Sequence, residues 1–321
     1  MSERQRRVIP MFALATAGCL WGTGFFFAKI ALREMPVSTM VLFNLLFACA
    51  GLLPFLFLDR PRFTRREWAS VLAAAALEVP GVILLQVKGL SLTTVSHAAL
   101  MVGTLPTLLS ISAVLFAGGE LYSRSRGIVS GTRSIAAVLF TGEQLHIDGW
   151  VAVLASTAGA GMIALSSGSD SGAAGPTLRG DLLVVLSLFG AIGWILISKR
   201  LMQRHPALVV TAVVYCVGTL MLAAVVLMSS GLPSVHYSFL TWVAVAMLGL
   251  LATATTAVLW NWGLKRVPES QAGIFVNLEP LVGTILGVSV LHEVLGKTAL
   301  AGGALILGGA VYLSLRTLNL S

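Results

Sequence analysis

The sequence predicts an all-α integral membrane protein whose ten transmembrane helices form two inverted five-helix repeats. Three observations predict it: an apolar composition, a one-sided placement of basic residues, and a weak internal repeat whose copies lie an odd number of crossings apart. The chain has 321 residues, 57% of them hydrophobic and 11% charged, and a mean hydropathy of +0.92. Soluble domains carry about 25% charged residues. No segment between the apolar runs could bury a separate aqueous core, so nearly the whole chain is intramembrane, with membrane lipids around it. A net charge of +8 would point to nucleic acid in a soluble protein. Here the basic residues sit in short loops, where they orient helices, and no nucleic-acid partner is expected.

A window of about 19 residues places helices at 11–32, 39–58, 68–87, 95–117, 147–166, 179–199, 207–229, 239–262, 271–291 and 297–317. The first follows Arg4, Arg6 and Arg7 and contains LATAGC, which resembles a secretory leader ending at a lipid-attachment cysteine. Its apolar run continues through WGTGFFFAKIAL for about 22 residues, long enough to span rather than be cleaved. With the N-terminus cytoplasmic, the inside segments hold sixteen Lys and Arg. They are Arg4, Arg6 and Arg7 before helix one; Arg60, Arg62, Arg65 and Arg66 between two and three; and Arg124, Arg126 and Arg133 between four and five. Lys199, Arg200 and Arg204 follow helix six, Lys265 and Arg266 follow helix eight, and Arg316 ends helix ten. Outside lie only Arg33, Lys88, Arg179 and Lys297, so the count and the orientation support each other, with both termini cytoplasmic.

The Ser/Gly-rich stretch SSGSDSGAAGP, residues 166–176, is a flexible outer connector that divides a first repeat, 1–166, from a second, 179–321. Aligned at an offset of 174, GLSLTTVSHAALMVGTLP (89–106) matches GLKRVPESQAGIFVNLEP (263–280) at Gly89/Gly263, Leu90/Leu264, Ser96/Ser270, Ala98/Ala272 and Pro106/Pro280. Because each repeat has five crossings, the second enters the membrane upside down relative to the first. One segment breaks the symmetry: SISAVLFAGGEL (110–121) recurs as SIAAVLFTGEQL (134–145), which makes the region near 118–141 an insert. Its apolar part is too short to span, and it is expected on the cytoplasmic side.

LEPLVGTILGVSVLHEVLGKTALAGGALILGGAVYL (278–313) resembles the end of the EamA-type repeat of the drug/metabolite transporter superfamily, and WGTGFFFAK (21–29) resembles its opening. The resemblance covers nearly the whole chain, with the insert as the departure. It implies a multi-pass carrier of the bacterial cytoplasmic (inner) membrane with a central cavity between the halves. The implied activity is export of a small metabolite such as an amino acid; alternating access is expected from the inverted repeat, and coupling to proton antiport from Glu279. The alternative is a flippase for a lipid-linked metabolite. A membrane-embedded enzyme would need a nucleophile or metal constellation. Ser110 and Ser112 share their helix only with a distant His97, and no Walker-type loop occurs. No enzyme activity, cofactor or metal is therefore expected, and the partners are a small-molecule substrate and, as a candidate, a second copy of the chain. Cys19, Cys49 and Cys216 fall inside apolar runs as core residues.

The ionisable residues within the membrane are Glu78, Glu279 and Lys29. A charge at such depth costs roughly 2.5–3.5 kcal/mol on insertion scales, so both carboxylates are candidates for substrate binding or coupling. Glu279 corresponds to Leu105, so the site is asymmetric even though the scaffold is not. Pro280 and Pro106 have no N–H to give the carbonyls of Val276 and Val102, and both are expected helix breaks. Asn277 and Glu279 are about 200° apart on a regular helix, and Glu279 is favoured for the cavity over Asn277. Trp21 and Trp194 could wall the cavity, with Asn44 and Tyr215 as further polar candidates, whereas Lys29 could equally snorkel to the outer interface. Trp68, Trp260 and Trp262 are expected as interface anchors. His97 is expected to be solvated, and Glu120, Glu143 and Glu293 to contact loops. AGGALILGG (301–309) and ASTAGAG (155–161) are small-residue faces for close helix approach.

Overall fold

The computed structural model describes residues 3–58, 62–105, 107–108, 147–166, 175–267, 272 and 275–319. Pro106, Ser110, Ser112, Glu120, Glu143 and the insert near 118–141 lie outside the described residues, as does most of the connector. All regular structure among the described residues is helical: α1 (Glu3–Ala31), α2 (Val37–Leu58), α3 (Arg65–Leu92), α4 (Val95–Val102), α5 (Ile147–Ser166), α6 (Leu178–Met202), α7 (Ala207–Ser230), α8 (Phe239–Leu264), α9 (Leu278–Ser289) and α10 (Lys297–Asn319). Six of these, α1, α2, α3, α6, α7 and α8, are long and apolar enough to cross a membrane. Three boundaries differ most from the expected spans: α1 begins at Glu3 rather than near 11, α3 runs on to Leu92 rather than ending near 87, and α9 is interrupted at Asn277.

The helix starts have local causes. Thr64 accepts from the backbone N–H of Glu67 while the Glu67 carboxylate accepts from the Thr64 N–H, a reciprocal cap that begins α3. Ser238 accepts from Thr241 N–H and begins α8 in the same way. The offset of 174 that aligns the repeat carries Thr64 onto Ser238 and the first residue of α3, Arg65, onto that of α8, Phe239. Both helices then widen into π turns, α3 over Leu77–Leu84 and α8 over Met247–Thr255. In α8 the wide turn is held by hydroxyls reaching back five residues, Thr253 to the Leu248 carbonyl at 2.9 Å and Thr255 to that of Leu250 at 2.8 Å. In α3 it contains Pro80, which has no N–H to give a regular α turn.

Eight helices close into a ring in the order α1, α8, α2, α7, α3, α6, α4, α9 and back to α1. Exchanging each helix for its counterpart in the other half returns the same ring. α5 and α10 pack along one another outside it and reach it through α4 and α6. Without a hydrophobic drive between helices in lipid, such contacts depend on close backbone approach. Gly18 and Gly22 of α1 supply it against α9: a Cβ on Gly22 would stand 2.6 Å from the Glu279 carbonyl oxygen, and one on Gly18 would overlap the Phe275 carbonyl. Gly159 and Gly302 do the same for α5 and α10, so the two small-residue faces meet within the fold. The repeat identity Gly89/Gly263 has the same cause: a Cβ would stand 2.8 Å from the Gly180 carbonyl oxygen at Gly89 and 2.6 Å from Leu14 Cγ at Gly263.

Candidate functional site

The first part of the site belongs to the π turn of α3. π turns place side chains off the regular α register and recur at functional positions, and here the turn carries Glu78, only 5% exposed. The Tyr215 hydroxyl of α7 faces its carboxyl, and the other oxygen, Oε2, has no partner among the described residues. One turn along α7, Thr219 donates to the Tyr215 carbonyl at 2.6 Å. With its proton committed there, the hydroxyl accepts from the Cys49 thiol of α2 at 3.3 Å, and Cys216 adjoins the same thiol. Asn44 lies farther along α2, 4% exposed, with Oδ1 unpartnered among the described residues. Its backbone carbonyl lies 2.5 Å from where a Gly249 Cβ would stand, so α2 connects the two π turns.

The second part belongs to α9. Residues 275–276 are helical, Asn277 is a turn, and the helix begins again at Leu278, which puts Glu279 in the first turn of a half-helix. Free N–H groups and the positive end of the macrodipole favour a carboxylate at that place. The cause of the break is Pro280, whose missing N–H leaves the Val276 carbonyl without its helical partner. α4 is interrupted at the corresponding place, with a turn at Gly103–Thr104 after Val102. Asn277, 7% exposed, occupies the cap position of the half-helix. Glu279 is half-buried, its backbone against Gly22. Beside Gly22, Trp21 packs on Trp260 of α8 with ring centroids 4.9 Å apart and planes tilted by 52°.

The structure thus joins Glu78 with Tyr215, and sets Glu279 in the α1–α9 contact beside Trp21, while α3 and α9 are not neighbours in the ring. Trp194 of α6 packs with Val71, Ala74, Val213 and Val214, its indole Nε1 buried and unpartnered among the described residues. Trp260, expected as an interface anchor, packs on Trp21 and is half-buried. Trp68 and Trp262 remain exposed, the latter under the Arg266 guanidinium at 4.2 Å. Lys29 stays apart from both carboxyl groups: its ammonium donates to the carbonyls of Leu90, at 2.9 Å, and Thr93.

Two features escaped the sequence. His97 is not solvated but 2% exposed, because its Nδ1 lies 3.1 Å from Oδ2 of the fully buried Asp181, whose Oδ1 accepts from Thr93 at 2.5 Å. Asp181 in the first turn of α6 was the signal, a carboxylate that its place at the boundary of a span made look ordinary. Glu293 does more than meet a loop: it caps α4, accepting from Val95 N–H at 2.7 Å, Ser96 N–H at 2.8 Å and the Ser96 hydroxyl at 2.6 Å. His292, with φ 55°, turns the chain after α9 so that this carboxylate reaches α4. In the loop after α1, Glu34 accepts from Ser238 N–H at 2.8 Å, which holds its carboxyl below the usual carboxylate range.

Comparison with known proteins agrees with this architecture. The EamA-like transporter family matches residues 8–126 and again residues 178–315. The chain belongs to the EamA-like transporter family. Among EamA-like relatives, an uncharacterized transporter of Archaeoglobus fulgidus is 25% identical over 94% of this chain and 95% of its own length. The Bacillus subtilis uncharacterized transporter YwfM is 26% identical over 96% of this chain and 94% of its own. A solved crystal structure superposes over 100% of both chains with a TM-score of 0.62 at 18% identity, a likeness of fold. The protein is a multi-pass membrane transporter of this family and not an enzyme.

Proposed function

We propose that the protein is a secondary active transporter of the bacterial cytoplasmic membrane, with both termini cytoplasmic, that exports a small metabolite such as an amino acid in exchange for protons. The observation that carries this reading is the interrupted helix α9, one of the ring helices, which sets Glu279 in the first turn of a half-helix. Discontinuous helices in inverted repeats are where carriers place their substrate and coupling sites. A carboxyl in such surroundings is costly as a bare charge, so it holds either a proton or a cationic group. A substrate ammonium and a proton then compete for Glu279, and proton entry drives substrate out. The Trp21–Trp260 pair beside it offers aromatic faces to an apolar or cationic part of the substrate. Glu78, with Tyr215, is the second coupling group.

The test uses purified protein in liposomes, with an imposed pH gradient and a panel of labelled amino acids and lipid-linked metabolites. At least one amino acid accumulates against its gradient. Glu279→Gln loses that accumulation by tenfold or more and retains exchange of substrate for substrate. If the Gln variant keeps a wild-type response to the gradient, Glu279 is a hydrogen-bonding group between helices. If only lipid-linked compounds move, the substrate class is wrong.

A further inference from the structure

At the outer end of the ring, four helices are tied together by polar groups that lie outside both carboxyl sites. Asp181 of α6 accepts from Thr93, in the link between α3 and α4, and meets His97 of α4, and all three residues are at most 2% exposed. Lys29 of α1 donates to the carbonyls of Leu90 and Thr93, which draws α1 onto the same link. Thr177 extends the tie, its hydroxyl donating to the Leu92 carbonyl at 2.6 Å. Glu293 attracts the Lys29 ammonium and the exposed Arg33 repels it, while Lys88 and Arg179 are exposed. At the inner end, the pairing seen is of another kind: Glu67 meets Arg204 at 3.3 Å and His205 at 3.5 Å, with the Arg204 side chain 74% exposed.

We propose that Asp181, His97 and Thr93, with Lys29, are the latch of an outer gate, and that this structure is the state in which that gate is closed. The inference rests on the alternating-access reading above. A buried pair of this kind stabilises little compared with apolar packing, but it is strongly unfavourable to leave half-made. It therefore gives the outer end two states, closed with every partner satisfied or open with every partner hydrated, and penalises what lies between. Asp181 is the positioning residue on which the others converge. Its loss removes both the Thr93 and the His97 contacts at once.

The experiment measures distances between spin labels at Arg33→Cys and Arg179→Cys, both exposed at the outer ends of α1 and α6, in a transport-competent background whose native cysteines are serine. A second pair at Arg65→Cys and Lys265→Cys reports the inner end. Without substrate the outer pair gives one short distance. Asp181→Asn raises a discrete longer-distance population at least fivefold, Asp181→Glu brings it back toward the starting value, and His97→Gln and Thr93→Val each have a smaller effect. An unchanged distance in the folded Asp181→Asn variant overturns the latch. So does a featureless broadening with lost folded protein in Asp181→Asn and in both single-contact variants, which would mark a structural staple. If the outer pair lengthens while the inner pair stays fixed, the latch stands and alternating access does not.

Discussion

Helices α3 and α8 begin at corresponding caps and widen over overlapping stretches, yet they fill the wide turn differently. α8 uses threonine hydroxyls that satisfy its own carbonyls, whereas α3 holds a proline and a carboxyl whose partner stands on another helix. At the repeat offset Glu78 corresponds to Ala252, which is buried. The broken helices show the opposite bias, because Glu279 lies in the second half and Leu105 in the first. Each half therefore contributes one carboxyl, from a different helix of the repeat. The scaffold obeys the symmetry because backbone approach and capping are indifferent to chemistry. The polar groups depart from it, and on the proposed reading that departure lets a carrier tell its substrate from its coupling ion.

The contrast can be broken most severely where the scaffold is tightest. Gly22→Leu drives a side chain into the Glu279 carbonyl, which cannot yield, and is expected to cost at least about 3 kcal/mol; the folded fraction after size exclusion should collapse. Gly161→Ala, where an added Cβ meets nothing within 4 Å, should not destabilise by more than about 0.5 kcal/mol. Next come the carboxyls themselves. Glu78→Gln should lower pH-driven accumulation less than Glu279→Gln does, because Glu78 is already partnered by Tyr215, and equal losses would make the two halves equivalent in function. Tyr215→Phe leaves a buried acceptor without its hydroxyl and should destabilise by about 1–3 kcal/mol, read as a shift in thermal midpoint. Thr253→Val removes one hydroxyl bond from the wide turn of α8 and should cost about 0.5–1.5 kcal/mol. It should leave accumulation unchanged, unlike any change at Glu78.

The smallest effect concerns pH. The Ser238 N–H holds the Glu34 carboxyl below its ordinary range, so the contact contributes fully above that range and is lost as pH falls through the depressed value. Thermal midpoints of wild type and Glu34→Gln should therefore differ at neutral pH and converge in acid; a constant gap would remove Glu34 from the account.

Much of the scaffold was legible because it follows from composition and spacing. Apolar runs, one-sided arginines and the Gly89/Gly263 match are properties of the chain itself, and Pro280 announced the interruption of α9 through its missing N–H. The wide turns were hidden. Pro80 marks one of them, but in α8 ordinary threonines do the same work, and no residue type specifies a π turn. Asp181 with His97 was invisible for another reason: each stands at the boundary of a span, where charge is unremarked, and only the packing of α4 on α6 takes both from water. The meeting of Trp21 with Trp260 likewise required knowing that α1 and α8 are neighbours.

The Glu293 cap has a consequence for biogenesis. The N–H groups of Val95 and Ser96 are satisfied by a carboxylate 198 and 197 residues farther along the chain. At a synthesis rate of roughly 5–20 residues per second, the ribosome needs roughly ten to forty seconds to deliver it. During that interval the first five helices wait in the bilayer with the start of α4 borrowing donors' partners from water at the membrane edge. The first half thus has no finished form of its own, and its last hydrogen bonds are made only when the second half has been threaded in beside it.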